Sequence, residues 1–344
     1  MNTPRDAIEK NYGLSILRIW MCFEVVLCHF WIVEEKGSFN LFERTRGLAV
    51  PIFFLMSFIL TGKKMVVEAD KTKFKKRFYR LLCPQIFWSV VYFIRYYLRD
   101  LFSGGLDLKN GIKDFTLQLF LGHTINQSMW YQVDLIIITF LLILIFGICK
   151  KELGIFILIF LGMLSIYLQY SGWNIATFGD LPGSVSVPLG RMCEAVPFMV
   201  IGTLISYYDI MKLLGKKRWE TLLLLLAGIV IMFNVTLFVT PEGFGYSGMY
   251  NICMGCLIVM LFYFLPLERL QGICKRIIEN ISKYTLGIYC IHRLVRDLLK
   301  HFIYPYFAIM MGTFKECILV FLVSLLIALL IGSMPVKCLK DSVM

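Results

Sequence analysis

Charge is scarce in this sequence. Only 17 % of its 344 residues are Asp, Glu, Lys or Arg, against 58 % hydrophobic, and the mean hydropathy is +0.74. That balance excludes a soluble globular domain and a disordered chain alike, and leaves an integral membrane protein. Low-complexity tracts, internal repeats and polar linkers are absent too, so residues 1–344 read as one membrane domain. The eleven cysteines are an odd number scattered through apolar stretches, which gives no disulfide framework. Cys253 and Cys256 do form a CxxC, but in NICMGCLIVM they lie along a helix wall without other soft ligands, so no metal is expected.

What the chain does have is apolar runs of about 20 residues, the length that crosses a hydrocarbon core of roughly 30 Å. Periodicity, turn residues and charge clusters predict about ten helical spans: residues 14–33, 48–62, 78–98, 130–148, 153–170, 190–209, 219–240, 250–267, 284–304 and 313–334. The runs lack the alternation of membrane strands, so the fold class is all-α, a polytopic bundle. The first run has no small-residue cleavage site and is a retained span, not a signal peptide.

A formal net charge of +12 would suit a nucleic-acid binder, but here the basic residues collect in alternate connections. GKKMVVEADKTKFKKRFYR follows the second span, and lysines and arginines also follow the fourth, sixth and eighth, whereas 171–189, 241–249 and 305–312 contain none. By the positive-inside rule both termini are cytoplasmic, the protein is a multi-pass component of the cell (inner or plasma) membrane, and its basic charge faces lipid and cytoplasm, not nucleic acid.

Three ionisable residues interrupt the first span, LRIWMCFEVVLCHF. A charge near the bilayer centre costs about 2.5–3.5 kcal/mol on insertion scales, so such residues usually face a protein interior or a polar cavity. Arg18 and His29 are eleven residues apart, which on a helix is about 20° from three whole turns and roughly 16 Å of rise. They share a face and mark two ends of a path. Glu24 points roughly 140° away from His29, toward a neighbouring helix. An imidazole is neutral near pH 7 and accepts a proton from a hydroxyl, which makes His29 a candidate general base.

An arginine and a histidine separated by ten residues in the first span resemble the signature of the acyltransferase-3 family of membrane O-acyltransferases. Further segments match in order: PIFFLMSFILTG, with Phe58 where the family has glycine after Ser57; KRFYRLLCPQIFW, whose Arg77 and Arg80 fit an arginine pair; MWYQVDLIIITFLL, led by Trp130; and KYTLGIYCIHRLV, ending in His292. The resemblance implies transfer of an acyl group, usually acetyl from acetyl-CoA, to a hydroxyl of an envelope polysaccharide or exopolysaccharide sugar, or of its lipid-linked precursor.

On this reading Arg77, Arg80 and Arg18 guide the donor's phosphates and pantetheine arm inward, because a guanidinium binds phosphate oxygens bidentately. His29 activates the acceptor, directly or through an acyl-histidine. Asp134, one turn after Trp130, is a candidate to orient His29 or to bond another helix. Arg191 and Glu194 read as an intramembrane ion pair, while His123 and His301 read as interface residues. Trp130, His292 and the outer Trp173, with Asn174 and Asp180 beside it, are candidates for holding the sugar. The chain ends ten residues after the last expected span, so transfer is expected to finish in this bundle or on a separate partner. The alternative is a non-catalytic polysaccharide exporter, which would be expected to show pseudo-symmetric halves.

Overall fold

The computed structural model describes residues 11–30, 45–68, 71–102, 108–122, 125–170, 183–238, 248–267, 270–305, 312–335 and 337–344, and these form helices joined by short turns, with no strand among them. Trp173, Asn174, Asp180 and His123 lie outside the described residues. The helices are α1 (Tyr12–Phe30), α2 (Ala49–Lys63), α3 (Lys71–Phe102), α4 (Leu108–Leu121), α5 (Trp130–Ile148), α6 (Lys151–Tyr170), α7 (Gly183–Tyr207), α8 (Ile210–Leu214), α9 (Arg218–Phe238), α10 (Met249–Phe264), α11 (Gly272–Lys283), α12 (Thr285–Phe302), α13 (Phe314–Ser333) and α14 (Lys337–Asp341).

Each expected span falls on one of these helices, but not every one is a plain membrane crossing. Six described helices are long and apolar enough to cross a membrane, or seven if the pair Gly190–Tyr207 and Ile210–Asn234, bent by 58°, is counted as one span. The remaining α10 is apolar but only 16 residues long. Helix α12 carries Arg293, Arg296, Asp297 and Lys300 along TLGIYCIHRLVRDLLKHF, too many charges for a lipid-facing span.

Helix α1 runs through the middle of the bundle, packed against α2, α10, α11, α12 and α13. Its Leu17, Met21, Val26 and Leu27 are fully buried, which leaves Arg18 and His29 among protein neighbours, not lipid. Apolar side chains at the periphery do the opposite. Phe156 and Met163 on α6 and Leu223 and Leu224 on α9 are about two-thirds exposed, as a surface solvated by hydrocarbon allows.

The broadest helix contact joins α2 to α7. It needs Gly202, where a Cβ would stand 2.8 Å from the Cβ of Phe58 and 3.1 Å from the Leu55 carbonyl oxygen. Phe58, which replaces the family's glycine, is wholly buried at that point. The small residue that permits close approach therefore sits on the partner helix.

Two amphipathic helices occupy stretches expected to be connections. Helix α4 lies in the 99–129 segment and packs on α3, α5 and α7; α11 lies in the basic stretch before the ninth expected span and packs on α1 and α12. Neither is apolar enough to announce itself as a span, because polar residues alternate with the apolar ones along both and the two are only 14 and 12 residues long.

Candidate active site

The turn between α4 and α5 is built by one buried amide. Gln118 accepts the backbone N–H groups of Ile125 and Asn126 on Oε1, each at 2.8 Å, and returns its Nε2 to the Asn126 carbonyl at 3.2 Å. Asn126 then caps the short turn Gln127–Met129 by accepting the Ser128 N–H at 3.0 Å. This is the use for which a short side-chain oxygen at a helix start is suited. Its outcome is to deliver Ser128 Oγ to 3.3 Å from Nε2 of His29 at the end of α1. On the other side of the ring a guanidinium nitrogen of Arg293 stands 3.1 Å from Nδ1. His292 stacks on His29, centroids 5.3 Å apart and planes 22° from parallel, with its own Nδ1 donating to the Tyr289 carbonyl at 2.7 Å.

The three arginines of the expected donor path also come together. Arg18 (α1), Arg77 and Arg80 (α3) line one cavity of about 680 Å³, along with Lys64 just after α2 and Lys283 at the end of α11. No Asp or Glu side chain is among its described lining residues, although the C-terminal residue Met344 is one of them. Such a wall concentrates positive potential, and its low-dielectric sides focus it. Arg77 is held in place by Thr61 Oγ1 at 2.6 Å and Ser57 Oγ at 2.8 Å, so the polar positions of PIFFLMSFILTG serve to aim the arginine of KRFYRLLCPQIFW. Arg80 is exposed and makes no hydrogen bond among the described residues, leaving its fork open for a ligand.

The wall of this cavity includes Tyr131, Gln132 and Tyr289. The two tyrosine rings meet edge to face, with centroids 5.7 Å apart. The Tyr289 hydroxyl donates to the backbone carbonyl of Ser128, the residue whose side chain touches His29. His29 does not line the cavity. One layer of side chains, Tyr289 with Ser128, links the two.

The other expected site residues are placed elsewhere. Asp134 is buried and makes no hydrogen bond to His29; the charges acting on it are those of Arg191 and Glu194. Arg191 lies over the Trp130 ring at 4.8 Å instead of pairing with Glu194, so Trp130 has a cation on its face. Glu24 accepts from Trp20 Nε1 at 3.0 Å and Thr45 Oγ1 at 2.6 Å, which ties α1 to the chain entering α2 and makes its role structural. His301 is exposed, with Nδ1 on the Asp297 carbonyl. Sequence reasoning missed Ser128, Tyr289 and Arg293. Only Arg293 left a signal, as a second cation directly following His292 in a span.

A helical membrane bundle with a cavity lined by three arginines and two lysines, and an imidazole one layer of side chains beyond its wall, is the frame of a membrane enzyme that handles an anionic substrate. The family model described as an acyltransferase domain matches residues 11–333, from the start of α1 to the end of α13. The chain belongs to the acyltransferase-3 family, and is a membrane acyltransferase. Neither a curated protein nor a solved structure matches it.

Proposed function

We propose that this protein transfers an acetyl group from cytoplasmic acetyl-CoA to a hydroxyl of a cell-envelope polysaccharide or exopolysaccharide sugar, or of its lipid-linked precursor, with His29 as general base. The observation that carries the reading is the cavity that joins Arg18, Arg77 and Arg80 with two lysines and with no Asp or Glu side chain among its described lining residues. CoA brings several phosphate charges on an elongated molecule, and planar guanidinium forks match phosphate oxygens two at a time. Entry is from the cytoplasm, the side to which the charge rule assigns the basic segment before Arg77, with both termini on that side of the inner membrane.

The phosphates stay at Arg77, Arg80 and Lys283 near the mouth, and the pantetheine arm runs past Arg18 toward Tyr131 and Tyr289. The thioester then passes beside Tyr289 to reach His29. There the imidazole removes the acceptor's hydroxyl proton as its oxygen attacks the acyl carbon, and the departing thiolate takes that proton back. The acceptor arrives from the opposite side. Trp130, with Arg191 over it, and Trp173 are the aromatic groups offered to its sugar. Asp134 then acts through Arg191 and Trp130, not on His29.

The test is acetyl transfer from labelled acetyl-CoA in membrane vesicles, combined with mass spectrometry of surface glycans from cells with and without the gene. A missing acetyl mass on one glycan supports the reading and names the acceptor. Unchanged glycans together with unlabelled products overturn it.

A further inference from the structure

The catalytic imidazole proposed above has its two nitrogens engaged by groups of different kind, and their chemistry fixes where its proton sits. Arg293 is a donor only, so the nitrogen that its guanidinium meets at 3.1 Å, Nδ1 of His29, must present its lone pair. The proton is then on Nε2, which donates to Ser128 Oγ at 3.3 Å. The stacked neighbour is fixed the opposite way, because the Tyr289 carbonyl at 2.7 Å only accepts and so requires a proton on Nδ1 of His292. In the resting site the lone pair of the base is therefore Nδ1, and Arg293 covers it.

Arg293 itself is not fully satisfied. Its Nε is buried and has no hydrogen-bond partner among the described residues. A buried donor left without a partner is costly, and in a transfer site it is available to an oxygen that arrives only with substrate.

We infer that Arg293 is both the cap on the base and the electrophilic stabiliser of the reaction: it holds His29 as the Nε2–H tautomer at rest, and leaves Nδ1 for the thioester carbonyl oxygen during transfer. This rests on His29 being the base. As the guanidinium engages the carbonyl oxygen, Nδ1 is uncovered for the acceptor hydroxyl. The acceptor's O–H bond breaks, its proton passes to Nδ1, and its oxygen bonds the acyl carbon, whose π pair becomes the oxyanion. Imidazolium and guanidinium would repel at the resting distance, so the oxyanion between them is what allows both charges to stay. On collapse the C–S bond breaks and the thiolate takes the proton from Nδ1, which returns to the cover of Arg293. The site thus becomes basic only when an acyl oxygen is present to draw the cap away.

The tautomer is read directly in ¹⁵N-histidine-labelled protein in lipid nanodiscs, with the His29 signals assigned by their loss in His29→Asn. The expected spectrum has the proton on Nε2 and a bare Nδ1 in the wild type, and mixed tautomers in Arg293→Met. In acetyl-transfer assays Arg293→Met should fall by about 10²–10³-fold, the loss typical of one oxyanion donor. Arg293→Lys, or guanidinium added to Arg293→Met, should restore part of it, which a merely structural arginine would not show. A wild-type His29 protonated on Nδ1, an Arg293→Met variant at wild-type rate, or a loss that neither lysine nor guanidinium restores overturns the inference. Normal transfer by His29→Asn overturns the general-base reading instead.

Discussion

At the scale of single residues, the account separates side chains that hold substrate from those that hold the protein. Arg80 is exposed, makes no hydrogen bond among the described residues and lines the cavity with Arg18 and Arg77. Charge-assisted hydrogen bonds contribute about 1.5–3 kcal/mol, so Arg80→Gln should raise the KM for the acyl donor roughly 10–100-fold and leave thermal stability alone. Steady-state kinetics and a melting curve on the same preparation check both halves. Arg77 is different, since it also ties Ser57 and Thr61 on α2. Arg77→Gln should lower the melting temperature as well as raise the KM. The spacing of Arg18 and His29 is legible in the sequence because helix geometry is local and regular. Ser128 and Arg293 are not, because their meeting with His29 joins positions 99 and 264 residues away, a matter of tertiary packing alone.

Elements act as levers on the site. The turn before α5, held by Gln118 and capped by Asn126, brings Ser128 to His29. Asn126→Ala should cost about 1 kcal/mol in stability, the usual loss for a cap, and should lower transfer further by letting Ser128 drift. A larger fall in activity than in melting temperature is the expected pattern. The α2–α7 contact depends on Gly202, so Gly202→Val, which drives a branched side chain into Phe58 and the Leu55 carbonyl, should destabilise the bundle by several kcal/mol; a melting curve checks it. At the far end of α12, Glu316 is wholly buried and accepts from Arg296 at 2.7 Å, Tyr304 at 3.0 Å and the Gly312 N–H at 2.5 Å. Glu316→Ala leaves Arg296 without its carboxylate and should cost about 3–5 kcal/mol in thermal unfolding. Helices with a strong apolar run can be read from the sequence in order; α4 and α11 cannot be read as easily, since one-sided helices of 14 and 12 residues carry a weaker signal than a span.

For the whole molecule, charge scarcity and repeated apolar runs identify a helical membrane bundle before any coordinates, and the family match to residues 11–333 agrees. What composition does not specify is how many helices cross. A short helix, a bent pair and a charged helix each satisfy their backbones inside the bundle, where lipid contact no longer dictates length or polarity. The same packing puts one arginine of the first span and two of the third around a common cavity, and an imidazole one layer of side chains beyond it. The central claim is that these are consecutive stations of one acyl transfer. It is tested most directly by comparing wild type and His29→Ala in vesicles supplied with labelled acetyl-CoA and membrane glycan, measuring donor binding and label transfer together. The account predicts an unchanged Kd for the donor with transfer abolished in His29→Ala; transfer by that variant at the wild-type rate would contradict it.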